Sequence, residues 1–453
     1  MSGAVSLLRE AVLANDVPRL GVVSESAAAL SGELRRLAQD LFERLREMSF
    51  DGVGISRETY GPGETAAMEL VERVAVERGL ESEWDAARNL VVRLRGREPD
   101  RPVVATGSHL DSVPQGGNYD GAAGVVAGLI ALLSARSNGH PLRTMELFVL
   151  RGEESAWYGG PCYFGSRALF GLLAESDLAT GHRVSGRTLA HHMAECGVDL
   201  APIRAGRPLL DPARFHCWME LHIEQGPVLM AREKPVGLVT GIRGNVRHRR
   251  VVCRGEAAHS GAVPRWLRRD AVLAMAELLM RIDEHWRVLL EWGEDLVVTS
   301  GIVETNADEH AVSRVPGEVC FALEYRSQDA KTLASFGSLL RSECAQIAAK
   351  RGVEFDLGDA VYTEPARMTE SLVRLLEAQA GDAGIPCEVM PSGAGHDSAV
   401  FANVGVPSAM VFVRTDKGSH NPLEAMEYPD FFAAAEVLSR ALWKTANLAE
   451  EVR

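Results

Sequence analysis

One run, PVVATGSHLDSVPQGGNYDGAAGVVAGLIALLSA from Pro102 to Ala135, limits the possible folds more than any other part of the chain. It opens on the apolar stretch Val103-Val104-Ala105-Thr106, which shows none of the alternation of a half-exposed strand. A strand apolar on both faces belongs inside a covered sheet, and the apolar segment after the loop reads as a helix covering it. MELFVLRG, RFHCWMELHI and PSAMVFVRT read as further strands of this kind, and SLVRLLEAQAGDAG as a further helix. Nearer the start, Leu30, Leu34, Leu37, Leu41 and Leu45 form the apolar stripe of another helix, and residues 1–28 read as a loosely specified leader.

Between these units the pattern changes. RHRRVVCRG reads as a strand, RRDAVLAMAELLMRIDEHW as a helix, DLVVTSGIV and GEVCFALEYRS as strands, LASFGSLLRSECAQIAAKRG as a helix and VEFDLGDAV as a strand. That β-α-β-β-α-β order is ferredoxin-like and predicts a separate α+β unit. The predicted fold class is therefore α/β: a mixed-sheet domain built from residues 1–240 and 361–453, with a ferredoxin-like domain inserted at 241–360. A length of 453 residues fits two such units.

Composition excludes several functions. Acidic residues outnumber basic ones, 62 to 48, for a formal charge of -14, which disfavours a nucleic-acid partner. No apolar run reaches the roughly 20 residues that span a bilayer, and Arg9 and Glu10 fall too early for a signal-peptide core. The seven cysteines are scattered and form no C-x-x-C pair, which suggests reduced thiols in a cytoplasm.

Side chains that carry chemistry cluster after the predicted strands. His109 and Asp111 follow the strand ending at Thr106, Glu153 and Glu154 follow MELFVL, His222 and Glu224 close HCWMELHI, and His420 comes after SAMVFV. Carboxyl ends of strands form the ligand crevice of open α/β sheets, so these residues are expected to converge at one sheet edge. One histidine after a strand is ordinarily a surface or satisfied core residue; the ordered set gives it weight. Imidazole and carboxylate without thiolate suit Zn²⁺, with Mn²⁺, Co²⁺ or Ni²⁺ as other candidates. In the pair Glu153-Glu154 one carboxylate can ligate while the other moves a proton. Asp111 stands where it could fix the His109 tautomer. His191-His192 has metal-like composition but no acid at useful spacing, and reads as a helix surface.

GSHLDSVPQGGNYDGAAGV, GEES, ELHIEQGPVL, GEAAHSGAVP, PSGAGHDSAVFA and GSHNP together resemble the M20-type hydantoinase/carbamoylase amidases. That group includes N-carbamoyl-L-amino-acid hydrolases, β-ureidopropionases and allantoate amidohydrolases. The likeness runs in order from about residue 50 to 440. It implies two divalent ions per subunit, bridged by Asp120, with His109 and His222 on one and Glu154 and His420 on the other. It further implies Glu153 as general base, His259 as oxyanion stabiliser reaching across a homodimer formed by the inserted domain, Arg326 as clamp for a substrate carboxylate, and Gln225 lining the pocket. His396 and Asp397 of GAGHDS would pin the loop over the site.

The chain also departs from the group. Ser155-Ala156-Trp157-Tyr158 follows the glutamates where relatives usually carry an Arg, so Trp157 is expected to reshape the pocket toward an apolar or aromatic substrate. Ser313 stands where relatives commonly place a substrate-binding Asn, and Arg265 where Met is frequent. The expected function is metal-dependent hydrolysis of an N-carbamoyl-L-amino acid to amino acid, ammonia and CO₂. The alternatives are an N-acyl amino acid, dipeptide or allantoate-like ureide as substrate, or a non-catalytic metal-binding paralogue. Retention of Glu153, which is no ligand in the implied site, speaks against the last.

Overall fold

The computed structural model describes residues 30–160 and 162–449; the leader at 1–28 lies outside them. Among the described residues the larger sheet has nine strands. Its path runs from Glu81–Trp84 through Leu90–Leu94, Met145–Leu150, Val103–His109, Phe215–Ile223, Ser408–Val413 and Val236–Ile242 to Ala366–Arg367. Cys387–Ser392 also pairs with Val236–Ile242. Val103–His109 runs parallel to both its neighbours, Ser408–Val413 is parallel to Phe215–Ile223, and the Leu90–Leu94 side is antiparallel. The sheet is mixed, and its central strands are buried along their whole length, as their unbroken apolar sequence requires.

Helix Ala122–Ser137 is apolar all round because it is enclosed on all sides. The sheet lies under it, and helices Gly32–Ser49 and Tyr428–Ala446 pack over it. The leucine stripe of the first helix faces inward: Leu34, Leu37, Leu41 and Leu45 are all buried, with Leu30 just ahead of the Ser31 cap.

A second sheet, entirely antiparallel, lies between Gly244 and Thr363. Gly244–Arg254 and Glu318–Ser327 pair at its centre. Val297–Thr299 and Val303–Glu304 flank the second of these, and Glu354–Asp356 and Ala360–Thr363 flank the first. Helices Ala271–Glu291 and Ala330–Arg351 cover one face around an apolar cluster of its own. Glu318–Ser327 alternates half-buried and buried positions, the mark of a sheet covered on one side.

The structure differs from the sequence expectation in detail: DLVVTSGIV is not one strand but is broken into Val297–Thr299 and Val303–Glu304. The first metal-loop strand does not stop at Thr106; it pairs with its neighbour through His109, opposite Leu150. VEFDLGDAV is two short strands, because the Asp356 carboxylate accepts the Gly358 amide and turns the chain between them.

Candidate metal centre and active site

Strand register brings the chemistry together. Thr106 lies opposite Met219 on the neighbouring parallel strand, so His109 and His222, each three residues further on, emerge side by side. Their rings stack at 5.6 Å between centroids. Glu153 follows three residues after Leu150, the partner of His109. Val413 pairs with Ile223, so the loop carrying His420 leaves from the same edge.

Second partners fix which nitrogen faces inward. His109 Nδ1 lies 3.0 Å from the Asp111 carbonyl and 3.2 Å from Asp111 Oδ1, and His222 Nδ1 lies 3.0 Å from the Ile223 carbonyl. Donation there leaves each Nε2 as a lone pair; that of His222 also faces the Gly121 amide at 3.2 Å, and the two Nε2 atoms are 3.4 Å apart. Asp120 Oδ1 is 3.6 Å from the first and 3.2 Å from the second. Three electron-rich atoms aimed at one point are a donor set for a cation. Asp120 Oδ2 faces a second set: His420 Nε2 stands 3.5 Å from it and 3.5 Å from Glu154 Oε1. Glu154 Oε1 is buried with no hydrogen-bond partner, an arrangement that a ligated cation would relieve. Both groups are imidazole–carboxylate sets, and the residues fit divalent metal at each.

Electrostatics points the same way. Burial, and with it the neighbouring carboxylates, push the Glu153 and Glu154 carboxyls well above the ordinary range against the opposing pull of His109. Asp120 is held low despite its burial by His222, His109 and His420. Glu153 belongs to neither donor set; its Oε2 is 3.8 Å from His109 Nε2, beside the site and free to handle a proton.

A layer of buried carboxylates holds these loops. Asp111 accepts the Glu153 and Glu154 amides at 3.1 and 3.2 Å and the Thr59 hydroxyl. Glu64 accepts the Gly152 amide at 2.9 Å and the Arg151 guanidinium at 2.7 Å. Glu220 joins Ser108 to Ser398 beneath the histidines. Arg57, fully buried, donates its Nε to the Leu110 carbonyl behind Asp111. Gly121 adopts φ +66°, and a Cβ there would strike the His109 ring at 2.5 Å, so the D-G step is a packing requirement.

Gln225 donates to Asp120 Oδ2 at 2.8 Å and lines a cleft of about 450 Å³ with His420, Arg243 and Arg326. Arg326 reaches this cleft from the end of the second sheet, hydrogen-bonded to the Gly393 carbonyl at 3.1 Å and paired with Glu324 at 3.0 Å. His396 is buried with its ring 4.4 Å from that of His222; its Nε2 is 3.1 Å from the Ser392 hydroxyl, and its Nδ1 has no partner. Asp397 accepts the Ser166 hydroxyl at 2.5 Å. Trp157 donates its indole N–H to the Ser112 carbonyl of the metal loop at 2.7 Å and stacks on His182. His259 and Ser313 are not brought in: His259 lies on the ribbon of Ala258–His259 and Arg314–Val315, and Ser313 just ahead of it. There Ser260 donates to the Ser313 carbonyl, and among the described residues no hydrogen bond or ion pair joins either residue to the metal cluster.

One sequence reading is corrected. His192 is buried, not on a helix surface, because the turn before its helix folds back and sets Ser185 Oγ 2.9 Å from its Nε2. An acid is also present: Glu195 lies 3.1 Å from His191. His182, His192 and Glu58 form a further imidazole–carboxylate group. In it His182 Nδ1 accepts the Val184 and Ser185 amides, which puts the proton on the Nε2 facing Glu58 and leaves no lone pair for a cation.

Sequence reasoning also missed Glu64, Arg57, Glu220 and Glu424. The signal for the last was present, a glutamate four residues after His420 in SHNPLE.

Comparison with known proteins gives the class. The family model described as peptidase family M20/M25/M40 matches residues 105–444. An N-carbamoyl-L-amino acid amidohydrolase of Geobacillus stearothermophilus is 33% identical over 420 residues, covering 90% of this chain and 98% of that protein. An allantoate amidohydrolase of Escherichia coli is 32% identical, covering 87% and 93%. The crystal structure of a hydantoinase/carbamoylase family amidase from Burkholderia multivorans superposes with a TM-score of 0.81 at 29% identity, covering 94% of this chain and all of that one. The chain belongs to peptidase family M20/M25/M40, a family of hydrolases, and within it to the hydantoinase/carbamoylase-type amidases. Among the described residues no helix is long and apolar enough to cross a membrane.

Proposed function

We propose that the chain hydrolyses the ureido C–N bond of an N-carbamoyl-L-amino acid, releasing amino acid, ammonia and CO₂. The observation that carries this reading is a guanidinium, Arg326, in the same cleft as the metal-set residue His420 and the Asp120-bound Gln225. Arg can offer two parallel N–H bonds to a carboxylate, a geometry Lys cannot copy. The remaining walls include Met390, Phe412, Val228, Pro227 and Pro391. They suit an apolar amino-acid side chain better than the second ureido group of allantoate, which would need several more hydrogen-bond partners.

His109, His222 and Asp120 would hold one divalent ion, and Asp120, Glu154 and His420 the other. Bound there, such ions supply Lewis acidity toward a carbonyl oxygen and acidify water. Glu153 takes the proton of the attacking water and returns it to the departing nitrogen as the C–N bond breaks. Arg326 holds the carboxylate, which sets the scissile carbonyl against the sheet edge. Zn²⁺ is the favoured metal, with Mn²⁺, Co²⁺ or Ni²⁺ able to serve the same donors.

The test is a panel of N-carbamoyl-L-amino acids, N-acyl amino acids, dipeptides and allantoate, read by both amine and ammonia release. Turnover of apolar N-carbamoyl substrates with one ammonia per turnover is expected; deacylation without ammonia, or total inertness, rejects the reading. On the preferred substrate, Arg326→Lys lowers kcat/KM by about 10–100-fold, mainly through KM.

His259 and Ser313 serve the site of a second subunit in this proposal, in a homodimer formed through residues 241–360. Met280, Leu290 and Trp292, exposed on and just after helix Ala271–Glu291, support such a contact. Mixing inactive Glu153→Gln and His259→Ala chains tests it. In a mixed dimer one site combines an intact Glu153 with the partner's His259, so about a quarter of wild-type activity returns after subunit exchange. No recovery, with exchange verified by mass, rejects the shared site.

A further inference from the structure

We infer that Glu424 is a positioning residue that locks the Asp120 bridge to the His420 loop and so controls occupancy of the His420-side cation set. This rests on the two-metal reading above. Glu424 is buried, and its Oε1 accepts the amides of Tyr119 at 2.7 Å and Asp120 at 3.3 Å. It lies four residues from His420 in a loop closed by reciprocal backbone bonds between Asp416 and Ala425. One side chain thus ties the segment bearing the bridging carboxylate to the segment bearing the exposed histidine.

The two cation sets depend on this tie unequally. His109 pairs with Leu150 and His222 with Phe412 within the sheet, so strand hydrogen bonds fix both whatever happens at Glu424. On the other side, Asp120 Oδ2 and His420 Nε2 both sit on loops, and His420 holds a left-handed backbone with φ +59°. Such a conformation persists in a non-glycine residue only where its surroundings enforce it. Gly117 completes the arrangement: a Cβ there would lie 2.1 Å from the Glu424 carboxyl carbon, so only glycine leaves that carboxylate its place.

Co²⁺ titration of metal-free protein, followed by visible absorption and calorimetry, separates the two sets. Wild type takes up two ions. Glu424→Ala is expected to keep the first affinity and weaken the second by about 10–100-fold, the usual range for losing a residue that orients ligands. Gly117→Ala, which leaves every carboxylate in the sequence, is expected to do the same and carries the test should Glu424→Ala fold poorly. Glu424→Gln, which keeps an acceptor oxygen and the volume, stays within a few-fold of wild type. Two ions bound with wild-type affinities by both Glu424→Ala and Gly117→Ala overturn the inference, as does equal weakening of both ions. A wild-type chain that takes up fewer than two ions fails the two-metal reading itself, a result distinct from any variant outcome.

Discussion

Glu153→Gln lowers kcat by about 10²–10⁴-fold and leaves metal uptake at the wild-type stoichiometry. The substitution removes a proton acceptor and little else. The Glu153 amide still donates to Asp111, so the loop keeps its course and Glu154 its place. Neither cation set includes the Glu153 carboxylate, which stands 3.8 Å from His109 Nε2. Metal analysis beside steady-state kinetics checks both halves. Retained turnover removes Glu153 from the role of base, whereas lost metal makes it a ligand and not a proton carrier.

Asp120→Ala has the opposite signature: activity falls by at least about 10³-fold because the residue shared by both sets is gone. Its effect on stability grows with metal. In metal-free protein Asp120 is held ionised, despite its burial, by His222, His109 and His420 and accepts the Gln225 amide, favourable contacts that outnumber its repulsion of Glu154, so removing it lowers stability modestly. With metal present, binding to the folded state adds about 2.7 kcal/mol at a hundredfold excess over Kd for each site. Zinc therefore raises the melting temperature of wild type and not of Asp120→Ala. Calorimetry with and without zinc decides; an equal rise in both places the ions elsewhere.

How much of this is legible in the sequence depends on what each residue's role requires. His109, Glu153, Glu154, His222 and His420 could be placed because unbroken apolar strands announce central positions in a sheet, and a central strand delivers its last residues to one edge. Asp111 was legible as the partner of His109, but its grip on the Glu153 and Glu154 amides was not, since backbone donors leave no trace in residue identity. Glu64 and Arg57 act on backbone from a distance of many residues and look like ordinary surface charges in the sequence, whereas Glu424 is marked only by its spacing from His420. The burial of His192 was hidden for the same reason: a turn folding over a short helix has no periodic signature. His259 and Ser313 are the reverse case, named by resemblance and lying on or just ahead of a ribbon outside the metal cluster of their own chain.

The central claim is that Asp120 joins two cation sites at one sheet edge, and anomalous diffraction from a zinc-loaded crystal tests it most directly. The account predicts two peaks per chain, one among His109, His222 and Asp120, the other among Asp120, Glu154 and His420. Peaks at the Glu58–His182–His192 group, or none at the Asp120 carboxylate, would contradict it.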